Sequence, residues 1–134
     1  MSSKSNRSEE GLKLRRVVLG KEHADRTMAE VDEITRPFEE ELVNEFLWGT
    51  IWSRPGVPLK IRSLIVLAML TALNRPQEIK THIRGALNNG CTKEEICEVF
   101  FQAAAYLGLP AAKTGLYAAK QSFAEFEVAQ KKAK

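Results

Sequence analysis

Apolar residues recur along this chain at intervals of three and four, which is the spacing of positions that share one face of an α-helix. The longest such pattern begins after Pro37 and ends near residues 54–56, where proline and glycine break a helix. We predict one long amphipathic helix there. Its inward stripe is expected to comprise Phe38, Leu42, Val43, Phe46, Leu47 and Ile51. Its outer face is expected to carry Glu39, Glu40, Glu41 and Asn44.

Caps and breakers mark further helical segments on both sides of this one. Pro58 fits a first helical turn, and the body that follows is apolar nearly all round, so we predict a central core helix at 61–73. Thr92 and Glu95 have the spacing of a capping box. Strand patterns and hairpin turns are absent from the sequence, so the predicted class is all-α. The other predicted segments cover about residues 11–19, 23–36, 75–88, 92–108 and 110–126.

The length of 134 residues is that of one domain. We predict a helical domain over residues 11–127, preceded by a disordered tail at 1–10 and followed by a basic tail at 128–134. The first ten residues have no apolar core, so they are not expected to act as a secretory signal. The longest apolar stretch is about half the length of a membrane span, so we expect a cytoplasmic protein without membrane contact.

The net charge of +3 arises from 20 basic and 17 acidic residues, so the two signs largely cancel. No basic stripe with interleaved aromatic residues is visible, which argues against nucleic-acid binding. Cys91 and Cys97 are six positions apart. That spacing fits neither a C-x-x-C redox pair nor a zinc knuckle, so we expect free thiols.

One pair of titratable residues stands out on the predicted helix at 75–88. His82 falls on or beside the apolar face that Ile79 and Ile83 define, and Glu78 lies one turn before it. A carboxylate and an imidazole at the boundary of a core can have tuned pKa values. A structural ion pair is the other interpretation of this spacing. A metal site is not expected, because one histidine and one glutamate are too few ligands.

Three arginines lie near the helix junctions that flank this pair, namely Arg54, Arg62 and Arg84. Guanidinium groups bind small carboxylates well, because they donate two parallel hydrogen bonds. Ordinary salt bridges are the alternative for each of them. The remaining histidine, His23, lies in a charged segment and is expected to face solvent.

Several short sequence motifs between the two tails are informative when they are taken together. They are WGTIWSRPG at 48–56, RSLI at 62–65, AML at 68–70, EIKTHIR at 78–84 and NNG at 88–90. Further blocks are GLKLRRVVLG at 11–20, QAAAY at 102–106 and GLPAA at 108–112. Together these blocks resemble the gamma-carboxymuconolactone decarboxylase family over nearly the whole chain between the tails.

The resemblance implies a six-helix, alkylhydroperoxidase D-like bundle that assembles as a homo-oligomer, usually a hexamer, with active sites near subunit contacts. The peroxidase branch of that superfamily carries C-x-x-C ahead of the histidine, whereas this chain has Arg75-Pro76-Gln77-Glu78. Thiol peroxidase chemistry is therefore disfavoured. One departure concerns the residue after the Trp-Gly pair, which is acidic in many decarboxylase members and is Thr50 in this chain.

The resemblance implies cofactor-free removal of carbon dioxide from a small dicarboxylate lactone, because the substrate supplies its own electron sink. His82 would act as proton donor or oxyanion donor, and Glu78 would orient it. The expected substrate-binding residues are Arg54, Arg62, Arg84 and Trp52. Two alternatives stay open: a related lactone decarboxylase or isomerase on the same scaffold, and a non-catalytic helical oligomer.

Overall fold

The computed structural model describes residues 6–133, and every regular element in that range is helical. The all-α prediction is therefore confirmed. The helices are α1 (Asn6–Leu19), α2 (Lys21–Ala29), α3 (Phe38–Trp52), α4 (Leu59–Ala72), α5 (Pro76–Asn88), α6 (Lys93–Leu107) and α7 (Leu109–Ala133). These are seven helices over residues 6–133, whereas the family resemblance implies six. The chain divides into an N-terminal unit that ends at Pro58 and a C-terminal unit that begins at Leu59.

Both ends of the helical part extend further than the sequence indicates. Residues 6–10 belong to α1 rather than to a disordered tail, because Ser8 is buried and donates a hydrogen bond to the Glu40 carbonyl at 3.1 Å. At the other end, α7 continues through the predicted basic tail to Ala133. Lys131 and Lys132 lie in its last turn, where cations favour a helix. Residues 1–5 and 134, which the predicted tails also include, lie outside the described residues.

In the N-terminal unit, α1 and α3 approach each other backbone to backbone. A Cβ atom at Gly11 would lie 1.7 Å from the Asn44 carbonyl oxygen, and one at Gly49 would lie 2.5 Å from the Arg7 carbonyl oxygen. Only glycine fits at these two positions. The buried Arg15 side chain crosses the same contact and donates hydrogen bonds to the Asn44 side-chain oxygen at 2.9 Å and to Glu39 at 3.0 Å.

Helix α3 differs most from its prediction. It is a π-helix, with a wider turn than an α-helix, and its buried residues are Asn44, Trp48 and Trp52. The predicted inward residues Phe38, Leu42 and Phe46 are each more than half exposed. The predicted stripe is therefore wrong. A polar residue occupies the buried face because Arg15 satisfies its side chain, which a hydrophobic count does not register.

The C-terminal unit packs α4, α5, α6 and α7 around one apolar core. Only one stripe of α4, formed by Ser63, Leu67 and Thr71, is buried, although the sequence predicts burial on most sides. The other apolar residues of α4 lie partly exposed on its remaining faces. The fully or nearly fully buried core residues of this unit are Leu67, Ile79, Ile83, Ala86, Cys91, Ile96, Phe100, Ala118 and Ala119.

The connections in this unit follow the sequence signals closely. Thr92 and Glu95 form the predicted capping box at the start of α6, with reciprocal hydrogen bonds of 3.0 and 2.8 Å. Pro76 occupies the first turn of α5. Within residues 6–133, none of the helices combines the length and the apolar character that crossing a bilayer requires.

Candidate active site

Helix α5 positions both residues of the predicted pair. Ile79, Ile83 and Ala86 are buried and anchor one face of the helix in the core. His82 is half-buried, three residues after Ile79, so it lies at the edge of that face. Glu78 is also half-buried and lies one turn before His82. The structure therefore places the carboxyl and the imidazole on neighbouring turns, where the core meets the surface.

The direct side-chain partner of Glu78 is Arg75, which forms a hydrogen-bonded ion pair with it. This bond is the main reason why the pKa of Glu78 lies below its usual value. A backbone hydrogen bond lowers the pKa further, and the nearby charge of His82 adds a smaller contribution. Glu78 is consequently a carboxylate at neutral pH.

Sequence reasoning did not select Arg75 as part of the site. The signal was present, because an arginine three residues before a glutamate is at ion-pair spacing. Such spacings are common on helix surfaces, however, and nothing in the sequence distinguishes this one. Only the structure shows that the two side chains are bonded to each other.

Two of the three predicted arginines belong to the same unit as the pair. Arg62 lies on α4 and Arg84 lies on α5, and both are half-buried. Arg84 is two residues after His82, and residues with that spacing do not face each other across a helix. We therefore place Arg84 on a different side of α5 from His82.

The other two predicted binding residues lie in the N-terminal unit. Trp52 is 2% exposed, and its ring stacks on Trp48 with 4.6 Å between centroids and 21° between planes. Arg54 is exposed in the segment after α3. The Trp52 ring is therefore packed inside its unit, whereas Arg54 is accessible to solvent.

The surface of the C-terminal unit carries several open grooves, two of which border α4 or α5. One, of about 620 Å³, runs between α4 and α6 and is almost entirely apolar, with Ile65, Met69 and Tyr106 among its lining residues. The other, of about 610 Å³, lies between α5 and α7 and is more polar, with Lys80 and Lys120 on its walls. Neither lining includes Glu78 or His82.

The sequence profile of the carboxymuconolactone decarboxylase family matches residues 39–121, which is more than half of the chain. The chain belongs to the carboxymuconolactone decarboxylase family. The matched range contains all six predicted site residues, and it extends over parts of both units.

Two relatives give this membership more detail. A 4-carboxymuconolactone decarboxylase from Acinetobacter baylyi is 36% identical over 126 residues, which cover 94% of this chain and 93% of the relative. A nitrosuccinic acid decarboxylase from Metarhizium robertsii is 42% identical over 102 residues, which cover 76% of this chain and 71% of the relative. Both are named as decarboxylases, which supports carboxy-lyase activity for this carboxymuconolactone decarboxylase family member.

Thr50, the position at which this family member departs from the acidic pattern, has a local role in the N-terminal unit. Its hydroxyl donates to the Glu45 carbonyl at 3.3 Å and lies 3.5 Å from a donor nitrogen of Arg7. The side chain therefore links α1 to α3 within that unit. It brings no negative charge to this part of the protein.

The two thiols of this family member are not activated. Cys91 is buried, and its Sγ donates to the Lys60 carbonyl at 3.4 Å, while Cys97 is half-buried. Burial is the main cause that raises the pKa of each thiol. Reactive cysteines have a lowered pKa instead, so both positions argue against thiol-based chemistry.

Proposed function

We propose that this enzyme decarboxylates gamma-carboxymuconolactone to 3-oxoadipate enol-lactone, a step in the breakdown of protocatechuate and related aromatic compounds, without a cofactor. The observation that carries the proposal is the 36% identity to a 4-carboxymuconolactone decarboxylase over 94% of the chain. The Glu78 and His82 pair on α5 supports it, since the reaction needs a positioned proton donor.

The substrate determines what the enzyme must supply. When the carboxylate leaves the gamma carbon as carbon dioxide, the electron pair of the broken bond moves through the ring double bond onto the lactone carbonyl oxygen. The resulting furanolate anion is then protonated at the alpha carbon. Catalysis requires donors near that oxygen, an acid near the alpha carbon and a site of low polarity around the leaving carboxylate.

The proposed roles follow from these requirements. His82 protonates the alpha carbon or donates a hydrogen bond to the developing oxyanion, because it is half-buried beside apolar side chains and an imidazole can serve in either role. The ionised Glu78 orients the imidazole from one turn away. Arg62 or Arg54 binds the acetate carboxylate that is retained, with Arg84 and Trp52 as further candidates.

A second candidate substrate is a nitro-substituted dicarboxylate. The relative that is 42% identical is named a nitrosuccinic acid decarboxylase. In such a substrate, the nitro group takes the electron pair that the lactone carbonyl takes in the first reaction. Both reactions need the same acid and the same anion stabilisation. The neutral Thr50, where many decarboxylase members carry an acid, is compatible with a changed substrate.

The test is a pair of spectrophotometric assays with authentic gamma-carboxymuconolactone and with nitrosuccinate, run on the same enzyme. Higher kcat/KM with the lactone supports the proposal, and higher kcat/KM with nitrosuccinate favours the second candidate. The product is identified by NMR, because an isomerase would also change the absorbance without releasing carbon dioxide. Absence of turnover with both substrates would favour the alternative that the protein is a non-catalytic helical oligomer.

A further inference from the structure

The backbone of Arg75 is held from both sides at the junction between α4 and α5. The preceding residue, Asn74, has a positive φ of 56°, which no other non-glycine residue in the described part of the chain has. This turn lets the Arg75 N–H donate back to the Leu70 carbonyl at 3.1 Å. The Arg75 carbonyl accepts from the Ile79 N–H at 2.9 Å. The Arg75 backbone therefore connects the last turn of α4 to the first turn of α5.

The guanidinium of Arg75 is directed at the Glu78 carboxylate and bonds one of its two oxygens, Oε1. Both side chains are substantially exposed, at 59% for Arg75 and 43% for Glu78. An exposed pair of this kind adds little to stability. The consequence of this contact is instead electrostatic, because it compensates part of the Glu78 charge one turn before His82.

We propose that Arg75 is a positioning residue that orients the Glu78 carboxylate and limits the negative charge that His82 experiences. The inference rests on the proposed function, in which His82 must release a proton to the substrate. A carboxylate whose charge acted on the imidazole alone would hold that proton more tightly. Arg75 weakens this hold while it keeps Glu78 ionised and in place.

Other charges around α5 do not replace this contact. Two neighbouring ion pairs join other residues to each other. Lys80 pairs with Glu125 between α5 and α7, and Lys60 pairs with Glu95 between α4 and α6. Two further half-buried cations, Arg62 on α4 and Arg84 on α5, are unchanged in the variants below, so their effect on His82 is constant. The charges that act on Glu78 are those of Arg75 and His82.

The test is an NMR titration of the His82 imidazole in the wild-type protein and in Arg75→Gln. The chain has two histidines, so His23 on α2 provides an internal reference. Loss of the guanidinium charge should raise the titration midpoint of His82 by about 0.2–0.7 pH units. This range is the free energy of a typical surface ion pair converted to pH units. Arg75→Lys keeps the charge and should restore most of the wild-type midpoint.

Lys93→Gln is the matched control, because Lys93 also starts a helix of this unit and pairs with an acidic residue, Glu127. It should leave the His82 midpoint unchanged. An unchanged midpoint in Arg75→Gln would overturn the inference. So would an equal rise in the control.

The kinetic consequence is measured separately. The alkaline limb of the pH profile of kcat, where His82 loses the proton that it must donate, should move upward in Arg75→Gln by the same amount as the NMR midpoint. The NMR experiment needs no substrate, so it tests the inference even if the lactone is not turned over. If the midpoint shifts but neither candidate substrate reacts, the proposed function fails while the Arg75 contact stands.

Discussion

Glu78 and His82 owe their chemical character to a boundary position on α5. Their neighbours Ile79 and Ile83 are buried in the core, while the pair itself is half-exposed. The edge position of His82 was predictable, because helical periodicity alone places it beside the apolar stripe. The contact between Arg75 and Glu78 could not be singled out, because the same ion-pair spacing is common on helix surfaces.

Replacement of His82 by Ala tests the central assignment. The substitution removes a donor that acts mainly in the transition state, so kcat should fall by about 10²–10⁴ with little change in substrate affinity. His82→Gln keeps a hydrogen-bond donor without an exchangeable imidazole proton. It should recover activity if His82 chiefly stabilises the oxyanion, and it should not if proton transfer dominates.

The unfolding temperature of each His82 variant is measured in parallel, because a half-buried side chain also contributes to packing. Glu78→Gln serves as the comparison and should reduce kcat less than His82→Ala, since orientation of the imidazole is an indirect role. Near-normal turnover of folded His82→Ala would make the histidine structural, and the mechanism would then have to rest on the arginines.

The lowered pKa of Glu78 predicts a pH-dependent contribution to stability. A carboxyl whose pKa is lower in the folded state stabilises the fold above its unfolded-state pKa, and this contribution is lost as the pH falls through the folded-state value. Glu78→Gln should therefore be less stable than wild type at pH 7, by at most about 1 kcal/mol because the pair is exposed and screened. Chemical unfolding should show the difference disappearing as the pH falls through the lowered folded-state pKa, and a difference that stays constant from neutral to acidic pH would contradict the assignment.

The helix ends of this chain follow local sequence signals, whereas the buried face of one helix does not. Local signals for helix ends were reliable, as the capping box at Thr92 and the proline at the start of α5 demonstrate. The buried face of α3 was predicted wrongly because periodicity ranks residues by polarity alone. Asn44 is buried through its bond to Arg15, and that bond joins residues 29 positions apart. Contacts of this range are not encoded in any local window of sequence.

The contact between α1 and α3 predicts the behaviour of Gly11→Ala. Alanine normally favours a helix interior by about 1 kcal/mol over glycine. At this position the added Cβ would meet backbone atoms of Asn44 and Gly49, which cannot move aside as a side chain can. We expect a net destabilisation of about 1–3 kcal/mol in thermal or denaturant unfolding.

Gly56→Ala is the control for this substitution, since nothing lies within 4 Å of a Cβ atom at that position. It should change stability by less than about 0.5 kcal/mol. A stabilised Gly11→Ala protein would mean that α1 and α3 do not approach each other as closely in solution.

Large apolar side chains remain exposed in both units of the protein. On α3 they include Phe38, Leu42 and Phe46, and on α4 they include Ile65 and Met69. An isolated globule rarely leaves this much apolar surface in water. We therefore predict that the protein is a homo-oligomer, for which a hexamer is the form implied by the family resemblance. Light scattering at micromolar concentration should give a multiple of the 15.0 kDa chain mass, and a monomer would contradict the prediction.

The stacked rings of Trp48 and Trp52 have a practical consequence for following how this protein unfolds. They are the two tryptophans of the chain, and both lie on α3 in the N-terminal unit, whereas His82 lies in the C-terminal unit. Intrinsic tryptophan fluorescence is therefore a built-in reporter of the N-terminal unit alone. The His82 NMR signal reports on the C-terminal unit. A difference between their denaturation midpoints would reveal whether the two units lose their structure in separate steps.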